Sequence, residues 1–434
     1  MKKYQLAVVA ALVSAGMSAQ ATEFQSIGFE SISMGGAGVA NARGALAAYY
    51  NPALLAQRRF DTEMAFGAGA GYREYNLADN IDTLSDLDLS GALDRIAANA
   101  TPLGTGGNSA ADRNAIASAQ GVLRGMGGGR NGASVMPQAQ FGVQAGEYAL
   151  GVFLSGEVAA TAAIDPSRLN LIVAGTGALA GRYFEYDPGS DTYFETTAAN
   201  YQANSLEYAI DSGLTHMRVQ GLMVYELPLS YGLKLSDNLG VGASLKYLRG
   251  TTYNSRLQID TATGNVDSQI EGGEKTSSDF GFDLGVLYSP LPNLRLGLVG
   301  KNLNGPKFET AVPSENFKLS PMARAGANVS LGESFDVALD IDLTKNNTFL
   351  DDIKSRYVGG GFNWHPASWF SLRLGAMSNL AHDNEGIVYT AGLGFGLKWF
   401  QFDLAAQQAS KESTYNGESI PRYGRVSAAI VSRW

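Results

Sequence analysis

From Val219 to Leu235 every second residue is apolar or glycine, with Tyr225, Leu227, Leu229, Tyr231, Leu233 and Leu235 in one register. Gln220, Glu226, Ser230 and Lys234 fall in the other, and an alternation of period two predicts a β-strand with one oily and one wet face. After Ser236-Asp237-Asn238 the alternation resumes through Leu239, Val241, Ala243, Leu245 and Tyr247, which makes a hairpin. Apolar registers also run over 280–288, 294–298, 323–331, 335–343, 358–364, 370–376, 387–397, 400–404 and 426–434, and upstream over 64–72, 139–145 and 148–154. The pattern predicts about fourteen strands.

A soluble sandwich would also alternate, but three features favour a barrel in lipid. Arg295, Lys301, Arg324, Arg356, Arg373, Lys398, Asp403, Arg425 and Arg433 all lie in the register opposite the apolar one, and only strand ends, such as Glu74 and Arg249, break the rule. A charge on the lipid face at mid-bilayer costs about 2–4 kcal/mol, so lipid demands this segregation. The links alternate as well: tight joins at 146–147, 236–238, 290–293, 332–334, 366–368 and 398–400 separate long ones over 75–136, 161–216, 250–278, 304–320 and 408–422. Short periplasmic turns and long outer loops are the outer-membrane arrangement. Finally Trp364, Trp369, Trp399 and Trp434 all end strands on the short-link side, where an indole suits the headgroup layer. The expected fold is all-β: a transmembrane antiparallel β-barrel of about 14 strands with an N-terminal lumenal plug.

Composition sharpens this picture. Lys2 and Lys3, the apolar run from Leu6 to Val13 and the small-x-small pattern Ala19-Gln20-Ala21 read as a signal peptide cut near Ala21. The expected organisation is signal peptide 1–21, hatch or plug 22–61 and barrel 62–434, placed in the bacterial outer membrane. With no cysteine in 434 residues, thiol chemistry and cysteine-ligated metals are excluded. The formal charge of −9 falls to −11 once Lys2 and Lys3 are removed, which argues against nucleic acid as a partner.

The stretch from Ser33 to Ala56, SMGGAGVANARGALAAYYNPALLA, is neither alternating nor charged enough for a free tail. Gly44 to Tyr50 suits a short helix, Asn51 before Pro52 is pushed out of the helical region, and Pro52 can open a second turn through Ala53, Leu54 and Leu55 with Asn51 as its cap. Gly35, Gly36 and Gly38 permit tight bends. A compact apolar segment entering from the periplasm ahead of the first strand has the lumen to go to, with Arg43 and Asn51 as its expected polar partners for the wall.

This stretch resembles the N-terminal hatch of the FadL-type outer-membrane transporters, with Asn51-Pro52-Ala53 the most distinctive part, and within that superfamily the chain is most similar to the conjugal-transfer TraF-like branch. The resemblance implies a plugged channel for hydrophobic small molecules such as long-chain fatty acids, gated by Gly35, Gly36, Gly38, Arg43, Asn51, Pro52 and Ala53. It also implies a kink in the third strand that opens sideways into the membrane. Gly151 and Gly156 are the candidates for that kink, with packing against the plug as the other reading. The alternative function is a non-transporting outer-membrane structural or assembly component associated with conjugation or secretion.

The chain ends on Trp434 with Ile430, Ala428 and Val426 in its register, which resembles the terminal signature of the barrel-insertion machinery, although Ser432 departs from it. Expected partners are therefore outer-membrane lipids, a hydrophobic small-molecule ligand and, during assembly, that machinery. In the first long link, Asp82 to Ala98 and Ala111 to Arg124 carry leucine and isoleucine at helical spacing and predict two helices over the mouth. Chemistry is expected to be absent. His216 and His382 belong to the outer rim and His365 to the periplasmic end, so no metal, cofactor or enzyme site is expected. Asp336, Asp340 and Asp342 are expected to build a lumenal salt-bridge ladder with Arg324, Arg356 and Arg373.

Overall fold

The computed structural model describes residues 23–57, 62–99, 110–127, 131–258, 270–350, 353–396, 399–415 and 417–433. The expected signal peptide, Lys398 and Trp434 lie outside the described residues. Fourteen strands close into one antiparallel barrel: β1 (Thr62–Tyr75), β2 (Gly132–Ala145), β3 (Tyr148–Ala163), β4 (His216–Ser236), β5 (Leu239–Gln258), β6 (Glu274–Leu291) and β7 (Leu294–Lys301). They continue through β8 (Met322–Ser330), β9 (Phe335–Asp342), β10 (Tyr357–Ala367), β11 (Phe370–Asn379), β12 (Ile387–Gly396), β13 (Gln401–Ala409) and β14 (Tyr423–Arg433). Each strand pairs with its chain neighbour, and β1 closes on β14 from Glu63 opposite Arg433 to Arg73 opposite Tyr423. Closure leaves no edge, which is what a sheet in hydrocarbon requires.

The two faces separate by polarity. Tyr225, Leu229, Leu245, Phe280, Leu404 and Val426 are exposed on the outside, whereas Glu226, Lys246, Asp283, Arg373, Asp403 and Arg425 are buried inside. At the short-link end Trp364, Trp369 and Trp399 are exposed, and Phe370 packs its ring against Trp364 and Trp369 with centroids 6.4 and 5.8 Å away. These amphipathic rings suit a headgroup layer.

The long links are structured. The first contains three helices at 77–86, 89–99 and 110–127. The single helix expected over 82–98 is therefore two, because Asp88 takes the left-handed conformation (φ 45°) and turns the chain. The second link adds a three-stranded sheet (Ile172–Ala174, Tyr183–Asp187, Thr192–Thr196) and helices at 198–204 and 206–211. Leu93, Ile96, Ile116 and Leu123 of the first link and Val173, Phe184 and Leu206 of the second share one buried core, so the two links form a cap of their own. Two later links turn inward, as a hairpin at 307–309 and 316–318 and a short pairing of 346–347 with 354–355.

Candidate functional site

The N-terminal segment lies inside the barrel. It forms α1 (Phe29–Ser33), a tight turn at Gly44–Leu46, α2 (Ala47–Tyr50) and a second turn at Pro52–Ala56. Asn51 breaks the run in an extended conformation (φ −160°, ψ 106°), and its side-chain oxygen accepts the N–H of Ala53 at 3.0 Å, which caps the turn that Pro52 opens. Phe24, Ile27, Phe29, Ile32, Val39, Leu46, Leu54 and Leu55 are buried against wall residues such as Phe153, Leu287 and Val299. Each such side chain contributes about 1.5–3 kcal/mol on full burial.

The segment runs from the long-link end toward the short-link end. Glu23 pairs with Arg73 near the outer end of β1, whereas Ala45 N–H meets Glu63 and Arg43 meets Asp336 at the other. Its described part thus starts deep in the lumen, contrary to the expected entry from the periplasm. Among the described residues Glu23 finds its ion partner, Arg73, there.

Close approach fixes the glycines. Gly35 is left-handed (φ 66°), and a Cβ there would come within 2.6 Å of the Gly360 nitrogen. At Gly38 a Cβ would overlap the ring of Tyr50, whose hydroxyl bridges Ile27 by accepting from its N–H at 2.7 Å and donating to its carbonyl at 2.8 Å. The wall answers with glycines of its own: Gly242 lies against Pro52 and Ala53, and Gly285 against the side chain of Asn51.

Polar wall groups take up the segment's backbone, since buried N–H and C=O groups must be paired. Asp340 accepts from the N–H of Gly38 and Val39 at 2.8 and 2.9 Å, and Thr390 accepts from Gly35 N–H and donates to Ser33 O. Arg425 donates to Ser26 O, Gln407 to Ile32 O, and Arg324 to Gly36 O at 3.4 Å and Phe24 O at 3.2 Å. Asn51 Nδ2 reaches both Val39 O (3.0 Å) and Val286 O (3.2 Å). The acidic row on β9 consequently makes no simple ladder. Asp342 takes Arg324 at 2.6 Å, but Asp336 takes Arg43 and Asp340 the two amides, while Arg373 turns to Asp403 and Arg356 donates to the Asp342 backbone.

Strand β3 shows no bulge at Gly151 or Gly156. Its pairs with β2 run Val135–Val158 and then Gln138–Ser155, and those with β4 run Leu150–Leu229 and then Phe153–Glu226, with equal residue counts on both sides. The missing pairs have another cause: the register puts Pro137 opposite Gly156 and Pro228 opposite Gly151, and proline has no N–H to give. Gln25 of the N-terminal segment fills one gap by donating to Gly156 O at 2.8 Å.

Above the segment one side of the lumen carries an apolar cluster beside the buried ion pairs of Arg73 with Glu157 and Glu385. Leu222, Val224 and Leu248 face inward and are covered by Phe308, Phe317, Leu319, Phe349 and Leu350 of the two inward links. Sequence reasoning missed this compartment. Its signal was Leu222 and Val224 in the otherwise wet register of β4. Beside the segment, among the described residues, lie three small cavities of about 20 Å³, one of them lined by Glu23, Gln25, Tyr49, Ser155, Lys301 and Leu319. His382 contacts Asn379 at 2.9 Å, and no group of three metal-ligating side chains occurs among the described residues.

A family model described as "F plasmid transfer operon, TraF, protein" matches residues 48–342. No curated protein matches the chain in sequence. The crystal structure of the Ralstonia pickettii toluene transporter TbuX shares the fold with a TM-score of 0.50 at 16% identity, covering 95% of this chain and 99% of its own. The CymD monoaromatic hydrocarbon channel gives 0.48 at 14% identity over 95% and 99%, and a Pseudomonas aeruginosa FadL homologue 0.47 at 12% over 94% and 100%.

Proposed function

The chain belongs to the TraF family named for the F plasmid transfer operon, and we propose that it is an outer-membrane channel for hydrophobic small molecules, closed by residues 22–61. The observation that carries this reading is the inward apolar compartment of Leu222, Val224, Leu248, Phe308, Phe317 and Phe349, stacked directly on a plug of small residues. A barrel that only anchored other proteins would have no use for aromatic side chains at that depth. The fold of a toluene transporter supports it. Candidate cargoes are monoaromatic hydrocarbons and longer chains such as fatty acids.

In this reading a ligand displaces the inward links and the plug then shifts, with Gly35, Gly36 and Gly38 as its pivots and Arg43, Asn51, Pro52 and Ala53 as its ties to the wall. The exit is sideways beside β3, where Pro137 and Pro228 leave the ladder short. No step requires a catalytic group or cofactor. Deleting residues 24–56 should leave a foldable barrel with larger single-channel conductance in planar bilayers and faster uptake of a hydrophobic dye. Unchanged conductance would sink the gate.

The second reading, a non-transporting component of a conjugation or secretion apparatus, is favoured by the cap, whose own core covers the outer end. Under it the deletion would alter assembly of the apparatus and leave dye uptake at its original rate.

A further inference from the structure

Phe24 of the N-terminal segment packs its ring against two buried cations of the wall, with Arg324 Cζ 4.0 Å and Lys301 Nζ 4.8 Å from the ring centroid. Lys301 also stands 3.4 Å from the centroid of Tyr49, and among the described residues it forms no ion pair. Glu226 lines the same small cavity but pairs with Lys246 at 3.1 Å. A buried ammonium without a counter-charge is costly, and the negative face of an aromatic ring offsets part of that cost. The two plug rings thus do in part for Lys301 what Asp342 does for Arg324 and Asp403 for Arg373.

The surface that Phe24 covers belongs to the wall. Lys301 on β7 stands opposite Met322 on β8, and Val299 opposite Arg324, so the four form one buried patch across two paired strands. Met322 and Val299 share the buried cluster of Phe24, and Asp342 holds Arg324 at 2.6 Å. None of these ties runs through the plug, so the patch stays formed when Phe24 moves. While Phe24 is seated a second ring has no room. Tyr50 stacks on it at 6.0 Å, Tyr49 meets it edge-on at 6.2 Å, and two cavities that it lines are about 20 Å³ each. One of them is also lined by Val224 and Leu319, which belong to the apolar cluster above.

We propose that Lys301, Met322 and Arg324 form a binding site for an aromatic ring, and that Phe24 is its tethered occupant, exchanged for the ring of a monoaromatic ligand when the plug shifts. The apolar cluster reaches the edge of the site, and an alkyl chain arriving there gains nothing from the two cations. The Met322 sulfur adds a contact that rings favour. Exchange is like for like, a phenyl for a phenyl, so the ligand restores to Lys301 the face that it loses with Phe24. Release of the plug then answers to rings before chains. The inference rests on the transport reading only for how the ligand reaches the site.

The test is equilibrium binding of toluene and of methylcyclohexane, its saturated counterpart, to full-length protein taken from outer membranes. Heat-modifiable gel mobility checks that each variant keeps a closed barrel. Phe24→Ala vacates the site and should bind toluene about tenfold tighter than methylcyclohexane, because only toluene has a face for the cations. Lys301→Met in that background keeps the bulk, removes the charge and should shrink the preference severalfold. Phe24→Leu keeps an apolar side chain in the slot and serves if alanine does not fold; it should gain the same preference by a smaller factor. Equal affinity for the two hydrocarbons in the Phe24 variants, or a preference unchanged by Lys301→Met, would overturn the proposal. Either result with dye uptake intact leaves the transport reading standing. A toluene preference in a chain that takes up no dye keeps the ring site and removes transport.

Discussion

Pro137 on β2 stands opposite Gly156 on β3, and the Gly156 carbonyl takes its hydrogen bond from Gln25 of the plug at 2.8 Å. Plug and wall therefore share a bond that two strands would ordinarily make between themselves. Withdrawing the plug removes the protein donor from that carbonyl, at a cost of about 0.5–1.5 kcal/mol when water replaces it. The position of the plug and the lacing of β3 are coupled through this one acceptor.

Pro137→Ala should break the coupling by restoring an N–H to the ladder. The barrel is then expected to unfold at a higher temperature in the heat-modifiable gel assay, because β3 gains a bond independent of Gln25. If β3 is the exit, uptake of a hydrophobic dye should fall in the same variant. Faster uptake together with a higher unfolding temperature would place the exit elsewhere.

Asp340→Ala removes the acceptor for two adjacent N–H groups, those of Gly38 and Val39. Each orphaned amide costs about 1–3 kcal/mol, and the loss falls on the plug, since the wall pair of Arg324 and Asp342 stays in place. Open-channel noise in planar bilayers and protease cutting between Ser33 and Ala56 should both rise. Asp340→Asn keeps a carbonyl oxygen at the site and should recover most of the wild-type behaviour.

The strands were legible because lipid enforces the alternation that names them: one polar residue outward is expensive, so Tyr225 to Leu235 cannot wander from its register. The break at Asn51-Pro52 was legible for a local reason, the constraint proline places on its neighbour. What the long links do was not. Phe308 and Phe349 lie in stretches without periodicity, and only Leu222 and Val224, apolar where β4 should be wet, hinted that something would cover them. The role of Asp340 was hidden for another reason: its partners are backbone amides, which every residue carries and no sequence motif marks.

Phe308→Ala should open the outer compartment. The ring is fully buried and packs beside Gly250, where even a Cβ would collide with it. Removing it costs about 3–5 kcal/mol if the site cannot collapse, and the hairpin at 307–309 and 316–318 would loosen. Binding of toluene to the purified barrel should strengthen, because the ligand fills the vacated volume. Weaker binding would mean that the phenyl ring is part of the site and not its cover.

The cap should respond to pH through Glu207. Burial first, and then the charges of Asp211 and Asp94, push its carboxyl from the ordinary 4.5 up to about 7, against the Ala174 N–H that holds its charged form at 2.7 Å. A carboxyl whose pKa is raised by folding favours the folded state while protonated. The contribution is complete below about pH 4.5, the unfolded value, and is lost as the pH rises through about 7. Hydrogen exchange over 164–215, corrected for its intrinsic pH dependence, should therefore show slower opening at pH 5.5 than at pH 8, while the barrel strands, remote from Glu207, keep their protection. Glu207→Gln is neutral throughout and should erase the difference, leaving the cap at pH 8 as protected as the wild type at low pH. Equal protection of the wild-type cap at both values would mean that Ala174 N–H outweighs burial and that Glu207 stays charged.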